Sequence, residues 1–211
     1  MRFAIVCLAA LLITSGRAEA GKYNSKLDIG DPAPVWKELP GVDGKTHSLS
    51  DLKEKDFVIV VFHSCSCDVA EEYEDRIKQL TDKFAGLQQS VAVVAINVSK
   101  LEEDLLPAMK ERAKKHEFNF SYLFDESQQI ARAFGAVWTP EFFILDRERK
   151  IAYMGGMDDT SAVEFVKHHY LENALTAFLK GEAPEIRETP PIGCRIRYER
   201  ERRRSPRPAK E

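Results

Sequence analysis

Two thiols stand where an apolar run stops. In Val58-Ile59-Val60-Val61-Phe62-His63-Ser64-Cys65-Ser66-Cys67, Cys65 and Cys67 follow a continuous apolar segment and precede a run with helical periodicity. A buried strand that ends at cysteine just before an amphipathic helix brings sulfur to the positive end of a helix dipole. There the thiolate, the reactive form, is favoured. The chemistry open to such a pair is thiol–disulfide exchange, peroxide reduction or capture of a soft metal. A Cys65–Cys67 disulfide is geometrically possible but strained, hence readily reduced. Either thiol could instead pair with the distant Cys194. His63, Cys65 and Cys67 together offer imidazole and thiolate, which suit Cu(I). They share one face only if the strand continues through them, and the onset of helix argues against that.

The elements that must position these residues follow from the pattern around them. Phe57 to Phe62 is Val-rich and apolar throughout, as a central strand buried on both faces requires. Val69, Tyr73, Ile77, Leu80 and Phe84 then recur at spacings of a helix, with Gly86 near its end. Ser90 to Ile96 predicts a second buried strand. Met109 and Ala113 mark a shorter helix, with Pro107 in its first turn and Asp104 as its N-cap. Ser121 to Phe124 is a short strand, and Ser127 caps a helix closed by Gly135. Strands over 141–145 and 151–154 enclose the charged turn 146–150. A last helix is expected from the acidic start Asp158-Asp159-Thr160, through Val163, Val166, Tyr170, Ala174 and Phe178, to Gly181. Strands alternating with helices, followed by a hairpin and a helix, predict an α/β fold: a central mixed sheet flanked by helices on both faces.

Composition sets the limits. A chain of 211 residues, 44% hydrophobic and 31% charged, suits one globular domain with a real core. A formal net charge of −3 argues against a general nucleic-acid binder. Arg2, the apolar run from Phe3 to Ile13 and Ala18-Glu19-Ala20 read as a secretory signal over residues 1–20, too short to span a bilayer. The mature protein is therefore expected outside the cytoplasm, periplasmic or extracellular. Removal of that segment takes Cys7 away and leaves Cys65, Cys67 and Cys194, an odd set that points to a site rather than a disulfide framework. Residues 21–30 are polar and expected to be flexible, 31–181 form the domain, and 182–198 are an extension carrying Cys194. Residues 199–211 are a basic tail expected to be disordered.

Three further segments carry a resemblance. Ala70-Glu71-Glu72-Tyr73-Glu74-Asp75-Arg76-Ile77 follows the thiols, Tyr122-Leu123-Phe124-Asp125 precedes Ala131-Arg132-Ala133-Phe134-Gly135, and Thr139-Pro140-Glu141-Phe142-Phe143-Ile144-Leu145-Asp146 comes next. Together they resemble the redoxin branch of the thioredoxin superfamily, the alkyl hydroperoxide reductase/thiol-specific antioxidant-like proteins, over residues 28–180. Gly193-Cys194-Arg195-Ile196 extends the likeness to a Gly-Cys-x-Ile segment of some members. The resemblance implies a thioredoxin-like fold, a cis Thr139–Pro140 bond and a protein disulfide, thiol or peroxide as substrate, with no cofactor. Laid over the family's Cys-x-x-Cys, the first cysteine falls on Ser64 and the second on Cys67, so the customary nucleophile position is a serine. Cys65 is then expected to be the nucleophile, with Cys67 or Cys194 resolving, and Trp138, Thr139 and Pro140 positioning the substrate. The competing expectation is a redox-inactive or Cu(I)-binding module on the same fold.

Overall fold

The computed structural model describes residues 21–85 and 91–200. The secretory signal, the end of the first helix at Gly86 and the basic tail beyond residue 200 lie outside these residues. In chain order the elements are β1 (Leu39–Pro40), β2 (Thr46–His47), β3 (Phe57–His63), α1 (Asp68–Ala85), β4 (Val91–Asn97), α2 (Leu106–Lys115), β5 (Ser121–Phe124), α3 (Gln129–Phe134), β6 (Trp138–Thr139), β7 (Glu141–Leu145), β8 (Ile151–Gly155), α4 (Tyr170–Leu179) and β9 (Cys194–Arg195).

The main sheet has the order β5-β4-β3-β7-β8. β3 runs parallel to β4 and antiparallel to β7, so the sheet is mixed, as its sequence pattern predicts. β3 is central and buried on both sides. Its side chains alternate between two cores, as strand geometry requires. Ile59 and Val61 face the core under α1, α2 and α4, where Tyr73, Ile77, Met109 and Leu175 pack. Val58, Val60 and Phe62 face the core under α3, with Phe134, Phe143 and Trp36. Helices therefore cover both faces. Phe62, Phe134 and Phe143 meet edge to face with ring centroids 5.0–5.8 Å apart, the preferred arrangement for aromatic quadrupoles.

Three expectations change. Residues 21–30 are tied to the body rather than flexible. Asn24 is buried and donates to the Phe134 carbonyl at 2.8 Å, and Gly30 N–H donates to Ile151. The last helix starts at Tyr170, not near Asp158. Val163 and Phe165 are exposed, so the intervening segment has no buried stripe to pay for helix formation. The third change is at α3. Asp125 Oδ2, not Ser127 alone, receives a first-turn N–H, that of Ile130 at 2.8 Å, while Ser127 Oγ receives Gln129 N–H.

The extension 182–198 folds back along the domain. β9 pairs with β6, Ile196 N–H donates to Val137, and Tyr198 Oη donates to the Ala136 carbonyl at 2.6 Å. It is a separate two-stranded ladder, not an edge of the main sheet.

Phe62→Ala should lower stability by about 3–5 kcal/mol in urea unfolding, the cost of emptying a well-packed aromatic site. A loss under about 1 kcal/mol would show that the three rings do not carry the packing of that face.

Candidate active site

β3 and β4 end side by side, with His63 paired to Asn97. The chain then crosses to α1 through Ser64-Cys65-Ser66. A loop buried at a sheet end needs partners for its polar groups. One carboxylate supplies them. Asp104 is fully buried and accepts from Ser64 Oγ at 3.0 Å, from the Cys65 N–H, from Ser66 Oγ and from Asn97 Nδ2 at 2.8 Å. Burial alone would raise its pKa, but the hydrogen bonds from Ser66, Asn97 and their neighbours outweigh that and hold the carboxyl below its usual range. Asp104 is not the cap of α2. It ends a short 3-10 turn, Glu102–Asp104, and the α2 N-cap is Leu105, without a side-chain bond. The sequence shows a capping residue type before a helix and cannot show that its carboxylate turns inward.

The thiols point apart. Cys65 Sγ lies 3.3 Å from Tyr122 Oη, which receives Asn97 Nδ2 at 3.1 Å and lies 2.9 Å from His63 Nδ1. His63 Nε2 faces Glu74 Oε1 at 3.3 Å, and Arg112 Nε donates to the same oxygen at 2.6 Å. His116 Nδ1 is within ion-pair distance of Glu74 Oε2, at 3.1 Å. Glu74 is thus a buried anion, not part of a solvated helix face. Burial would raise its carboxyl, and the bonds from His63 and Arg112 bring it below the usual range. Burial pushes the Cys65 thiol up to about 11 against the opposing Tyr122 hydrogen bond, and the Asp104 carboxylate adds a smaller push in the same direction as burial. The thiolate expected at Cys65 is therefore disfavoured.

The positive end of α1 falls on Cys67 instead. Cys67 precedes the first helical residue, its carbonyl accepts the Glu71 N–H at 3.0 Å, and its Sγ receives the Ala70 N–H at 3.3 Å. Its Sγ also contacts the Thr139 carbonyl at 3.0 Å. The Thr139–Pro140 bond is cis. Opposite Thr139 in the β6–β9 ladder stands Cys194, whose thiol interacts with that of Cys67. Burial, then the Cys67 sulfur beside it, pushes the Cys194 thiol up to about 11. All three cysteines are free, and Cys67 and Cys194 line the same pocket. The ladder depends on Gly193, where an added Cβ would lie 2.1 Å from the Thr139 oxygen.

Cys67, Cys194 and Thr139 line one pocket of about 300 Å³, with Ser64 and Ser66 on its loop side and Arg195 and Arg197 on its C-terminal side. Cys65, Trp138 and Pro140 are not among its lining residues. Pro140 is buried, and Trp138 lies 5.8 Å under the Arg195 guanidinium. The His63, Cys65 and Cys67 side chains do not converge. The His63 nitrogens face Tyr122 and Glu74, and the two thiols face different sides. Among the described residues no three His, Cys, Asp or Glu side chains form a metal site.

Beneath the cis bond, Glu141 is buried and accepts the N–H groups of Val137 at 2.8 Å and Trp138 at 3.1 Å. Burial raises its carboxyl to about 7 despite those two bonds.

The description AhpC/TSA family matches residues 29–154, most of the main sheet and its helices. The chain belongs to the AhpC/TSA family. Thiol-disulfide oxidoreductase ResA of Bacillus cereus is 26% identical over 180 residues, covering 82% of this chain and 93% of that protein. An uncharacterized conserved protein from Geobacillus kaustophilus superposes with a TM-score of 0.77 and 29% identity, covering 83% of this chain and 95% of its own. A hypothetical protein from Sinorhizobium meliloti gives 0.74 and 32%, covering 82% and 96%. The thioredoxin-like fold is thus present here. Asp104, Asn97, Tyr122, Arg112 and Glu141 escape sequence reading. The one available signal was polarity inside an apolar context, as at Asn97 after Val93-Val94-Ala95-Ile96 and at Glu141 before Phe142-Phe143.

Asp104→Ala should cost at least about 3 kcal/mol in urea unfolding, because several buried donors lose their acceptor. Asp104→Asn, which keeps an oxygen, should cost less. A cost for the alanine variant below about 1 kcal/mol would remove Asp104 from this role. Glu141 gives a pH test. Its folded pKa, about 7, lies above the ordinary value of 4.5, so the folded state binds the extra proton. Its contribution to stability is complete below about pH 4.5 and is lost as pH rises through about 7. The stability difference between Glu141→Gln and wild type should therefore move in favour of the variant from pH 5 to pH 8. A difference flat with pH would show that Glu141 does not titrate in this range.

Proposed function

We propose that the protein reduces disulfides by thiol–disulfide exchange, with Cys67 as nucleophile and Cys194 as resolving thiol. The observation that carries this reading is that Cys67 and Cys194 line one pocket, at the N-terminus of α1 and beside the cis Thr139–Pro140 bond. Negative charge developing on Cys67 Sγ meets the Ala70 N–H and the end of the helix dipole. Attack by Cys67 breaks the substrate S–S bond, forms a mixed disulfide and releases one thiol. Charge on Cys67 is then gone, and with it part of what holds the Cys194 thiol protonated. Cys194 attacks the Cys67 sulfur, forms the intramolecular disulfide and releases the second thiol. Two electrons and two protons pass from protein to substrate, and an external dithiol returns them.

The kinship with a protein named thiol-disulfide oxidoreductase supports exchange over peroxide reduction, and a protein disulfide is the natural substrate on that analogy. Thr139 is read as the substrate-positioning backbone, with Pro140 fixing its direction and Trp138 supporting the ladder. Cys65 is read as a structural thiol. The sequence of residues 1–20 supports a working place outside the cytoplasm.

Insulin reduction with dithiothreitol should show turnover that Cys67→Ser abolishes, Cys194→Ser lowers at least about tenfold, and Cys65→Ser leaves within about twofold. Intact mass with alkylation, before and after oxidation, should show one disulfide between Cys67 and Cys194 and a chain that begins at Gly21. Turnover that depends on Cys65 and survives Cys67→Ser would overturn the assignment. Consumption of hydrogen peroxide faster than of insulin disulfides would favour the peroxidase instead.

A further inference from the structure

The pocket above the thiols has a charge as well as a shape. Arg195 and Arg197 lie on its C-terminal side, both exposed, and neither makes an ion pair among the described residues. Arg195 is set by the register that places it opposite Trp138, with its guanidinium over the indole. The backbone of Arg197 is held by Gln128 Nε2, which donates to its carbonyl at 3.1 Å. Two acidic groups nearby are otherwise engaged. Asp104 lies buried under the Ser64–Ser66 hydroxyls, and Glu199 is paired with Lys100 at 3.0 Å. Asp68, exposed at the start of α1 and in no ion pair among the described residues, sets one negative charge on the Cys194 side against the two arginines. Cys67 is only 2% exposed, so a substrate sulfur reaches it through this pocket. The pocket is at the small end of the range for ligand sites.

We infer that the site prefers disulfides flanked by carboxylates, with Arg195 and Arg197 receiving the carboxylates while the disulfide meets Cys67. Guanidinium groups pair with carboxylates by two parallel hydrogen bonds, and they retain their charge at all working pH values. A focused positive field also raises the local concentration of an anionic reagent by tenfold or more. This rests on the exchange reading for its substrate, but the charge preference can be read without turnover.

Two measurements test it together. In the first, reduced protein is alkylated with iodoacetate, which is anionic, and with iodoacetamide, which is neutral, and the rates at Cys67 and Cys194 are followed by peptide mass. The ratio of the two rates should be at least about fivefold higher in wild type than in Arg195→Gln/Arg197→Gln, and the difference should shrink in 1 M salt. In the second, turnover is compared for glutathione disulfide, neutral hydroxyethyl disulfide and cationic cystamine. The ratio of the first to the last should fall at least about tenfold in the double variant. An alkylation ratio that the double variant leaves unchanged overturns the inference. Loss of all turnover with an intact alkylation preference would sink the exchange reading and leave the anion preference standing. Turnover of the three disulfides at equal rates, with exchange intact, would sink the preference alone.

Discussion

A single buried carboxylate sets the geometry around the thiols. Asp104 gathers two serine hydroxyls, a backbone N–H and the Asn97 amide from two other stretches of chain. A charge so far from water is tolerable only when its lone pairs are filled, and here they are. The same bonds fix the loop between β3 and α1, so they decide where each following side chain points. Cys65 turns toward Tyr122, and Cys67 turns to the helix end and Thr139. The register of β3 against β4 places Asn97 next to the loop and so makes the clamp possible.

Most of the fold was legible in the sequence because it rests on period and burial. Val58, Val60 and Phe62 against Ile59 and Val61 is an alternation that only a central strand satisfies, and Tyr73, Ile77, Leu80 and Phe84 face one core. The cis bond was legible through resemblance. What escaped depends on side chains meeting across the chain. Asp104 and Asn97 are seven residues apart but meet Ser64 through the parallel pairing of two strands. Glu74 looks solvated in a charged helix, and only its position over His63 and Arg112 makes it a buried anion. The segment from Asp158 to His169 reads as helix from spacing, yet Val163 and Phe165 have no core to enter. Local pattern could not distinguish a stripe that packs from one that does not.

The two close cysteines carry different electrostatics despite standing two residues apart. Burial, then the Asp104 carboxylate, works against charge on Cys65, while the Ala70 N–H at the start of α1 donates to Cys67 Sγ. His63 Nε2 faces the Glu74 carboxylate, its Nδ1 lies 2.9 Å from Tyr122 Oη, and Tyr122 Oη receives Asn97 Nδ2 and lies 3.3 Å from the Cys65 sulfur. Serine at position 64 fits the same logic: its hydroxyl both donates to Asp104 and lies 2.9 Å from Ser66 Oγ.

The two-residue ladder between β6 and β9 has a mechanical side. A bond between Cys67 and Cys194 would close a loop of more than a hundred residues, and the chain entropy removed from the unfolded state is worth about 4–5 kcal/mol. Oxidation would thus turn the C-terminal segment from a lightly held flap into a clasp across the domain. Each catalytic turn would tighten and release that clasp, so the resistance of the chain to unfolding and to proteases would follow the redox balance of its surroundings.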